Sequence, residues 1–279
     1  MRCLIFFLSV FLASGSALAK LRVTVFDAGE GLSVLLEKNA RAILIDTGPL
    51  QLTPRILDKM KRKKLSSLDH LILTHLHADH ASGYFRVIES FPKVSVLENC
   101  HPIDVKTPGA VEQIVRWEFN ALSQNPRRRC LKAGDELAWQ GAKLKVLWPE
   151  KIEGTDLNKN SLVLLVEEGQ SRTLVMGDAT QDVERELLGQ GRAPQQVDIL
   201  VVGHHGANDT SDDAFLARVR PKVSIVPVDQ NNYWGRPAER VLKLLEKYSG
   251  RVMITGKEGD ICHSLGASIK DRQVRACAP

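Results

Sequence analysis

Residues 75–80 read His-Leu-His-Ala-Asp-His, directly behind the apolar run Leu71-Ile72-Leu73. In an extended segment, residues two apart point the same way, so His75 and His77 can approach one metal ion together. Asp79 and His80 fall where the chain turns into a helix, and can face a second ion nearby. Imidazole and carboxylate donors suit zinc first and manganese second, and leave a position open for water. A lone histidine is more often structural than a ligand, but three histidines and an aspartate within six consecutive positions read as a metal site. Further donors stand at other strand ends. Asp178 follows Leu174-Val175-Met176-Gly177, where its carboxylate can bridge two ions. His204 and His205 follow Ile199-Leu200-Val201-Val202-Gly203; one of the pair is expected as a ligand, and the other orients substrate or holds the loop. Asp46, closing Ile43-Leu44-Ile45, is expected to brace a ligand through a hydrogen bond.

Positioning these side chains requires strands that end together. Apolar runs predict strands at 21–26, 32–37, 42–46, 70–74, 94–97, 143–148, 161–167, 173–177, 197–202, 223–228, 251–255 and 261–264. Amphipathic runs predict helices at 53–63, 81–91, 109–123, 180–189, 211–219 and 236–248. The pattern implies sheets covered by helices. An internal echo sharpens it. Leu68-Asp69 to Ser82 and Val197-Asp198 to Ser211 each hold an aspartate, a buried strand and a histidine cluster, and each is preceded by a strand ending in Asp46 or Asp178. Two related halves facing each other across one site are therefore expected, ligands gathering at the carboxyl ends of strands.

The 279 residues carry 43% hydrophobic and 25% charged residues, which excludes a disordered chain and a polytopic membrane protein. The net charge of +5 is a mild basic bias that permits acidic partners without demanding them. Residues 1–19 read as a cleaved secretory signal: Arg2, an apolar run from Cys3 to Ala13, and an Ala17-Leu18-Ala19 cleavage site. That apolar run is shorter than the roughly 20 residues needed to span a bilayer. Residues 20–279 are then one domain without a membrane span, exported to the periplasm or secreted. In an oxidising compartment Cys100, Cys130, Cys262 and Cys277 are expected to form two disulfides, and shorter loops favour Cys262–Cys277 and Cys100–Cys130.

The order Phe26-Asp27-Ala28-Gly29-Glu30-Gly31, Leu44-Ile45-Asp46-Thr47-Gly48, Thr74-His75-Leu76-His77-Ala78-Asp79-His80, Asn160-Ser161-Leu162, Met176-Gly177-Asp178 and Gly203-His204-His205-Gly206 resembles the metallo-β-lactamase superfamily. Within it, the order is similar to the hydrolase domain of ComEC-type DNA-uptake proteins and their soluble relatives, including phosphorylcholine esterases. The resemblance covers residues 22–265 and implies an α+β fold, a four-layer αββα sandwich with a dinuclear site between its sheets. It implies His75, His77, Asp79, His80, Asp178 and one of His204/His205 as metal-binding positions, with Asp46 and Asp27 as carboxylates behind them. This chain departs from the family pattern at Asp27-Ala28-Gly29-Glu30-Gly31-Leu32, at Gly206-Ala207 and at Gly235-Arg236-Pro237, which touch the rim where substrate would sit. His101 is the only histidine between the first cluster and Asp178, and it lies in a loop.

In such a site a water bridging two divalent ions loses its proton near neutral pH and attacks phosphorus or a carbonyl carbon. Asp79 would orient that water or accept its proton, and no Gly-x-Ser-x-Gly motif offers a serine route. Phosphate esters are the expected substrates, with Arg236 and, more weakly, Asn160 contacting them; against DNA stand the modest net charge, the lack of aromatic residues within the basic runs, and a total of 15 aromatics, few for a stacking platform. The densest basic runs, Lys59-Met60-Lys61-Arg62-Lys63-Lys64 and Arg127-Arg128-Arg129, fit a phosphate surface or simply a solvated face. A phosphodiesterase or nuclease is therefore the leading expectation. Hydrolysis of a carboxyl ester, lactone or lactam follows, and then a metal-binding accessory role in DNA uptake or envelope assembly.

Overall fold

A computed structural model describes residues 19–103, 113–265 and 274–277. All of the expected signal segment but Ala19, and the first four residues of the expected 109–123 helix, lie outside them. The first half of the chain supplies β1 (Arg22–Val25), β2 (Val34–Lys38), β3 (Arg41–Ile45), α1 (Thr53–Arg62), β4 (Ser67–Leu73), α2 (Ala78–Ala81), α3 (Tyr84–Ser90), β5 (Ser95–Glu98), α4 (Gln113–Ser123) and β6 (Arg128–Cys130). The second half supplies β7 (Glu136–Trp139), β8 (Ala142–Trp148), β9 (Val163–Glu168), β10 (Ser171–Val175), α5 (Gln181–Gly189), β11 (Ile199–Val201), α6 (Asp213–Val219), β12 (Val223–Val226), α7 (Glu239–Tyr248) and β13 (Arg251–Ile254). After α8 (Thr255–Glu258), β14 (Ile261–Ser264) and β15 (Arg275–Ala276) return to the first sheet.

Two sheets result, in the orders β15-β14-β1-β2-β3-β4-β5-β6 and β13-β12-β11-β10-β9-β8-β7. They share a plan. In the first, β1, β2 and β3 pair antiparallel and β3, β4, β5 and β6 pair parallel. In the second, β7 to β10 pair antiparallel and β10 to β13 pair parallel. Strands β6, β7 and β15 lie in segments where the sequence pattern predicts none; they are short and hold few buried residues.

Period-two alternation explains the layering. Ile43 and Ile45 of β3, Ile72 of β4, Leu164 and Val166 of β9, and Ile199 and Val201 of β11 meet in a core between the sheets. The residues between them point outward. Leu44, Leu71 and Leu73 pack with Ile56 and Met60 of α1 and Val87 of α3. Leu165, Leu174 and Leu200 pack with Leu187 of α5, Phe215 of α6 and Val241 of α7. The architecture is the expected four-layer αββα sandwich. Disulfides Cys100–Cys130 and Cys262–Cys277 join segments 30 and 15 residues apart. No helix among the described residues is long and apolar enough to cross a membrane.

Much of the basic surface is absorbed by the fold. Lys59 pairs with Asp260 at 2.6 Å, Lys63 with Glu37 at 2.7 Å and Arg128 with Glu98 at 2.5 Å. These three cations of the two dense runs hold elements together.

Candidate metal centre

The chain leaves β3, β4, β10 and β11 at one edge of the sandwich, and the side chains just past these ends converge. Two donor groups form there, one of His75, His77 and Asp178, the other of Asp79, His80, Asp178 and His205. Asp178 belongs to both. Its Oδ2 lies 3.8 Å from His75 Nε2, and its Oδ1 lies 3.1 Å from His80 Nε2 and 3.4 Å from His205 Nε2. Asp79 Oδ2 stands 3.2 Å from His205 Nε2 and 3.7 Å from His80 Nε2. In the first group His75 Nε2 is 3.0 Å from His77 Nδ1. His75, His80, Asp178 and His205 are buried, whereas His77 and Asp79 are half-buried and face the mouth.

The backbone makes the convergence possible. His204 and His205 both lie in the left-handed region, at φ 46° and 54°, which bends the chain sharply after β11. Gly177 has φ 54°, and a Cβ there would sit 2.2 Å from Ser161 Oγ. Only glycine brings Asp178 in against that hydroxyl, which accepts the Asp178 amide at 3.0 Å.

Hydrogen bonds on the far side of each ring decide which nitrogen faces inward. His205 Nδ1 donates to the Pro227 carbonyl at 2.7 Å, so its Nε2 carries the lone pair. His80 Nδ1 lies 2.7 Å from Asp46 Oδ2, a pure acceptor, which fixes the same tautomer. Thr74 Oγ1 donates its one proton to Asp46 Oδ2 at 2.7 Å, so toward His75 Nδ1, 3.1 Å away, it can only accept. With the rings neutral, three Nε2 lone pairs therefore point at two carboxylates. His80 Nε2 and His205 Nε2 face each other across 3.2 Å, and Asp178 Oδ1 has no hydrogen-bond partner. Opposed lone pairs and a bare buried carboxylate oxygen call for cations between them, so the donor set fits divalent metal ions.

Without metal, a proton on the inward nitrogen of His80 and of His205 answers the same demand. Burial opposes charge on His80, yet the carboxylates of Asp178, Asp79 and Asp46 outweigh it and raise its pKa well above the usual histidine value. His205 is raised in the same way, by Asp178 and by its bond to Asp79. Asp79 and Asp178 stay charged despite burial because His80 and His205 surround them, and both fall far below the ordinary carboxylate range. Burial and the neighbouring His80 drive His75 well down, leaving it neutral and ready to donate its lone pair. Burial raises Asp46 against the pull of His80 and Thr74.

A sequence profile described as the metallo-beta-lactamase superfamily matches residues 26–229. The chain belongs to this superfamily. It is 30% identical over 245 residues to Recombination protein 2 of Haemophilus influenzae, covering 86% of this chain and 28% of that protein. It is also 30% identical over 263 residues to ComE operon protein 3 of Bacillus subtilis, covering 86% and 32%. The chain thus spans about a third of the length of these curated relatives, which are ComEC-type competence proteins. Among solved structures it superposes on YhfI, a metallo-beta-lactamase fold protein of Bacillus subtilis, with a TM-score of 0.58 at 12% identity, over 88% of this chain and all of that one. That likeness speaks for the fold alone.

Against the superfamily pattern, three expected roles fall elsewhere in this chain. His204 is in neither donor group. Its Nδ1 lies 2.7 Å from Asp209, and its Nε2 accepts from the Arg236 guanidinium at 3.1 Å and from Asn158 at 3.3 Å, which uses the lone pair a metal would need. Asn160 does not face substrate. It is buried, its Oδ1 accepts from the Glu153 amide at 2.9 Å, and its Nδ2 donates to the Glu153 and Asp156 carbonyls, closing the loop before β9. Asp27 touches no ligand either; its carboxylate lies 3.7 Å from Arg55, on the outside of the first loop. His101 donates from Nδ1 to the Pro102 carbonyl and stays out of both groups. Asp46 sits behind His80, and Arg236 stands at the mouth beside His204. Thr74, Ser161 and the Pro227 carbonyl orient ligands without any signal in the spacing; only the position of Thr74 directly before His75 hints at its part.

Proposed function

We propose that this chain is an exported metal-dependent phosphodiesterase whose substrates are nucleic-acid phosphodiesters. The observation carrying the proposal is the pairing of two donor groups through Asp178 with a guanidinium one side chain away, where Arg236 reaches His204 Nε2 at 3.1 Å. His75, His77 and Asp178 would hold one ion, and Asp79, His80, Asp178 and His205 the other. When bound, two such ions would supply an activated water and charge neutralisation at a phosphoryl group. Around them the protein's own groups divide the work. Asp79, half-buried and 3.2 Å from His205, is placed to take the proton of an attacking water at the mouth. Arg236 takes a non-bridging phosphate oxygen, a role suited to its fork of donors. His204, held by Asp209, positions that guanidinium. The kinship with proteins named for recombination and competence agrees with a nucleic-acid substrate. Export agrees with the sequence of residues 1–19 and with two disulfides, which persist in oxidising compartments.

The test is hydrolysis of bis-p-nitrophenyl phosphate by the purified protein with zinc or manganese, beside the His77→Ala/Asp79→Ala variant, with metal content measured on the same samples. Metal-restored turnover that vanishes in the variant is the expected result. Two bound ions without phosphodiester turnover would refute it, and carboxyl esters, lactones and a binding-only role would be tested next.

A further inference from the structure

Four large apolar side chains are exposed among the described residues, and two of them are neighbours at the mouth of the metal centre. Tyr233 is 90% and Trp234 66% exposed. They ride on the segment between β12 and α7, which begins at the carbonyl of Pro227 that holds His205. This segment is braced from within. Asn232 Oδ1 accepts the Arg236 amide at 2.7 Å, and Asn232 Nδ2 donates to the Asp229 and Arg236 carbonyls at 2.9 and 2.5 Å. It is also moored on both sides of the centre. The Tyr233 amide donates to Glu30 Oε1 at 3.1 Å, and the next residue, Gly31, lies so close to the Asp79 carbonyl that a Cβ would be 2.2 Å from it. On the other side Arg236 rests on His204. The two rings meet edge-on at 5.5 Å and 85°, and the Arg236 guanidinium lies 5.8 Å from the Trp234 ring centre.

A braced loop that holds two aromatic rings in water, one contact from the Arg236 cation and two from His204 beside the centre, has a cost in exposed apolar surface that a ligand would remove. We infer that Tyr233 and Trp234 form a stacking step for single-stranded nucleic acid, with Arg236 binding the phosphate next to the stacked base. This deepens the phosphodiesterase reading and rests on it for the position of the scissile phosphate. A single strand fits because its bases are free to stack on aromatic faces, whereas those of a duplex already stack on each other. A quaternary ammonium is the other cargo aromatic rings accept. Here the rings lie side by side instead of forming a cage, and the Arg236 cation already lies over Trp234.

The test compares binding of a labelled single-stranded phosphorothioate oligonucleotide with that of an abasic strand of equal length and charge, by fluorescence anisotropy on the zinc-loaded protein. The ratio of the two affinities isolates the bases from the phosphates. In the unaltered protein the base-bearing strand binds at least about fivefold more tightly, the lower end of what one stacked base contributes. The Tyr233→Ala/Trp234→Ala variant brings the ratio close to one, and Tyr233→Phe/Trp234→Phe keeps it. A ratio unaffected by the double alanine change, or displacement of the strand by phosphocholine through the same rings, would overturn the inference. Bis-p-nitrophenyl phosphate hydrolysis keeps the two readings apart. A protein that cleaves the diester but whose ratio ignores both rings refutes the stacking step alone. One that cleaves nothing yet keeps a ring-dependent ratio retains the stacking step and loses the hydrolase.

Discussion

Replacing Asp46 by asparagine isolates the support of a ligand from the ligand itself. The Asp46 carboxylate is fully buried and accepts three hydrogen bonds at 2.7 Å, from the Thr74 amide, the Thr74 hydroxyl and the His80 Nδ1–H. Asparagine is nearly isosteric and tolerates the left-handed backbone at φ 56°, so the turn after β3 survives. It offers one acceptor oxygen where the carboxylate has two, and its amide nitrogen must face at least one of the three donors. If that donor is His80 Nδ1, the ring is free to move its proton to Nε2, which is the atom aimed at Asp178 and His205. Loss of such a supporting contact weakens metal binding about 10- to 100-fold, or roughly 1.4–2.7 kcal/mol. Asp46→Asn is therefore expected to lower zinc affinity by that factor at the group of Asp79, His80, Asp178 and His205. The group of His75, His77 and Asp178 changes less, because none of its side chains bonds to Asp46 directly. Competition with a chromophoric chelator resolves the two binding steps, and long-range nitrogen–proton spectra of the zinc-loaded protein report whether His80 keeps its proton on Nδ1. Unchanged affinity at both steps, with His80 still protonated on Nδ1, would refute the reasoning.

The paired histidines separate in the same way: His205→Ala is expected to release one of two zinc ions, and His204→Ala to keep both while raising KM several-fold through a loosened Arg236, as metal analysis and steady-state kinetics would show. Removing either disulfide by Cys→Ala pairs should cost about 3–4 kcal/mol for closed loops of 15 and 30 residues, measured by urea unfolding. Glu184, buried beneath the loop that leads to α6, accepts from Thr210, Ser211 and Asp212, yet burial pushes its pKa from 4.5 up to about 8. The folded state thus holds this proton more tightly than the unfolded chain, so its contribution is complete below about pH 4.5 and lost as pH rises through about 8. Unfolding measured near pH 5 and near pH 8 should show the wild type losing stability, by a few kcal/mol at most, and Glu184→Gln losing less; equal slopes would count against it.

The His75–His80 cluster was legible because its chemistry is local: alternation along a strand end and the first turn of α2 place all four side chains without help from distant residues. Asp178 and the pair at 204–205 were legible through a repeated pattern of strand ends. The choice within the pair was not, since both residues take left-handed backbone and the decision rests with the Pro227 carbonyl, a strand away. Asn160 misled for a related reason. Its place beside the centre is real, but its amide is consumed by Glu153 and Asp156 in the preceding loop, a bonding choice that residue type does not reveal. Charge density left both readings of the basic runs open. Lys59, Lys63 and Arg128 of the basic runs pair with Asp260, Glu37 and Glu98, while Arg236 stands alone in its stretch of sequence and reaches His204.

The two halves show how one backbone plan yields two fates for equivalent aspartates. Asp46 follows β3, which pairs parallel with β4, and Asp178 follows β10, which pairs parallel with β11. In the first half the left-handed residue is Asp46 itself, immediately after Ile45. In the second it is Gly177, one residue before Asp178. That displacement of one position places the aspartate at the bend or just after it. Asp46 is left behind His80, where three donors hold it, and Asp178 is carried into the space between the donor groups. A residue at position 177 with a side chain would meet Ser161 at 2.2 Å and strain the left-handed turn, so the glycine is what converts a bracing carboxylate into a shared one. Because Asp178 counts once in each donor group, the three-against-four asymmetry of the centre comes from His205, which the second half adds to Asp79 and His80.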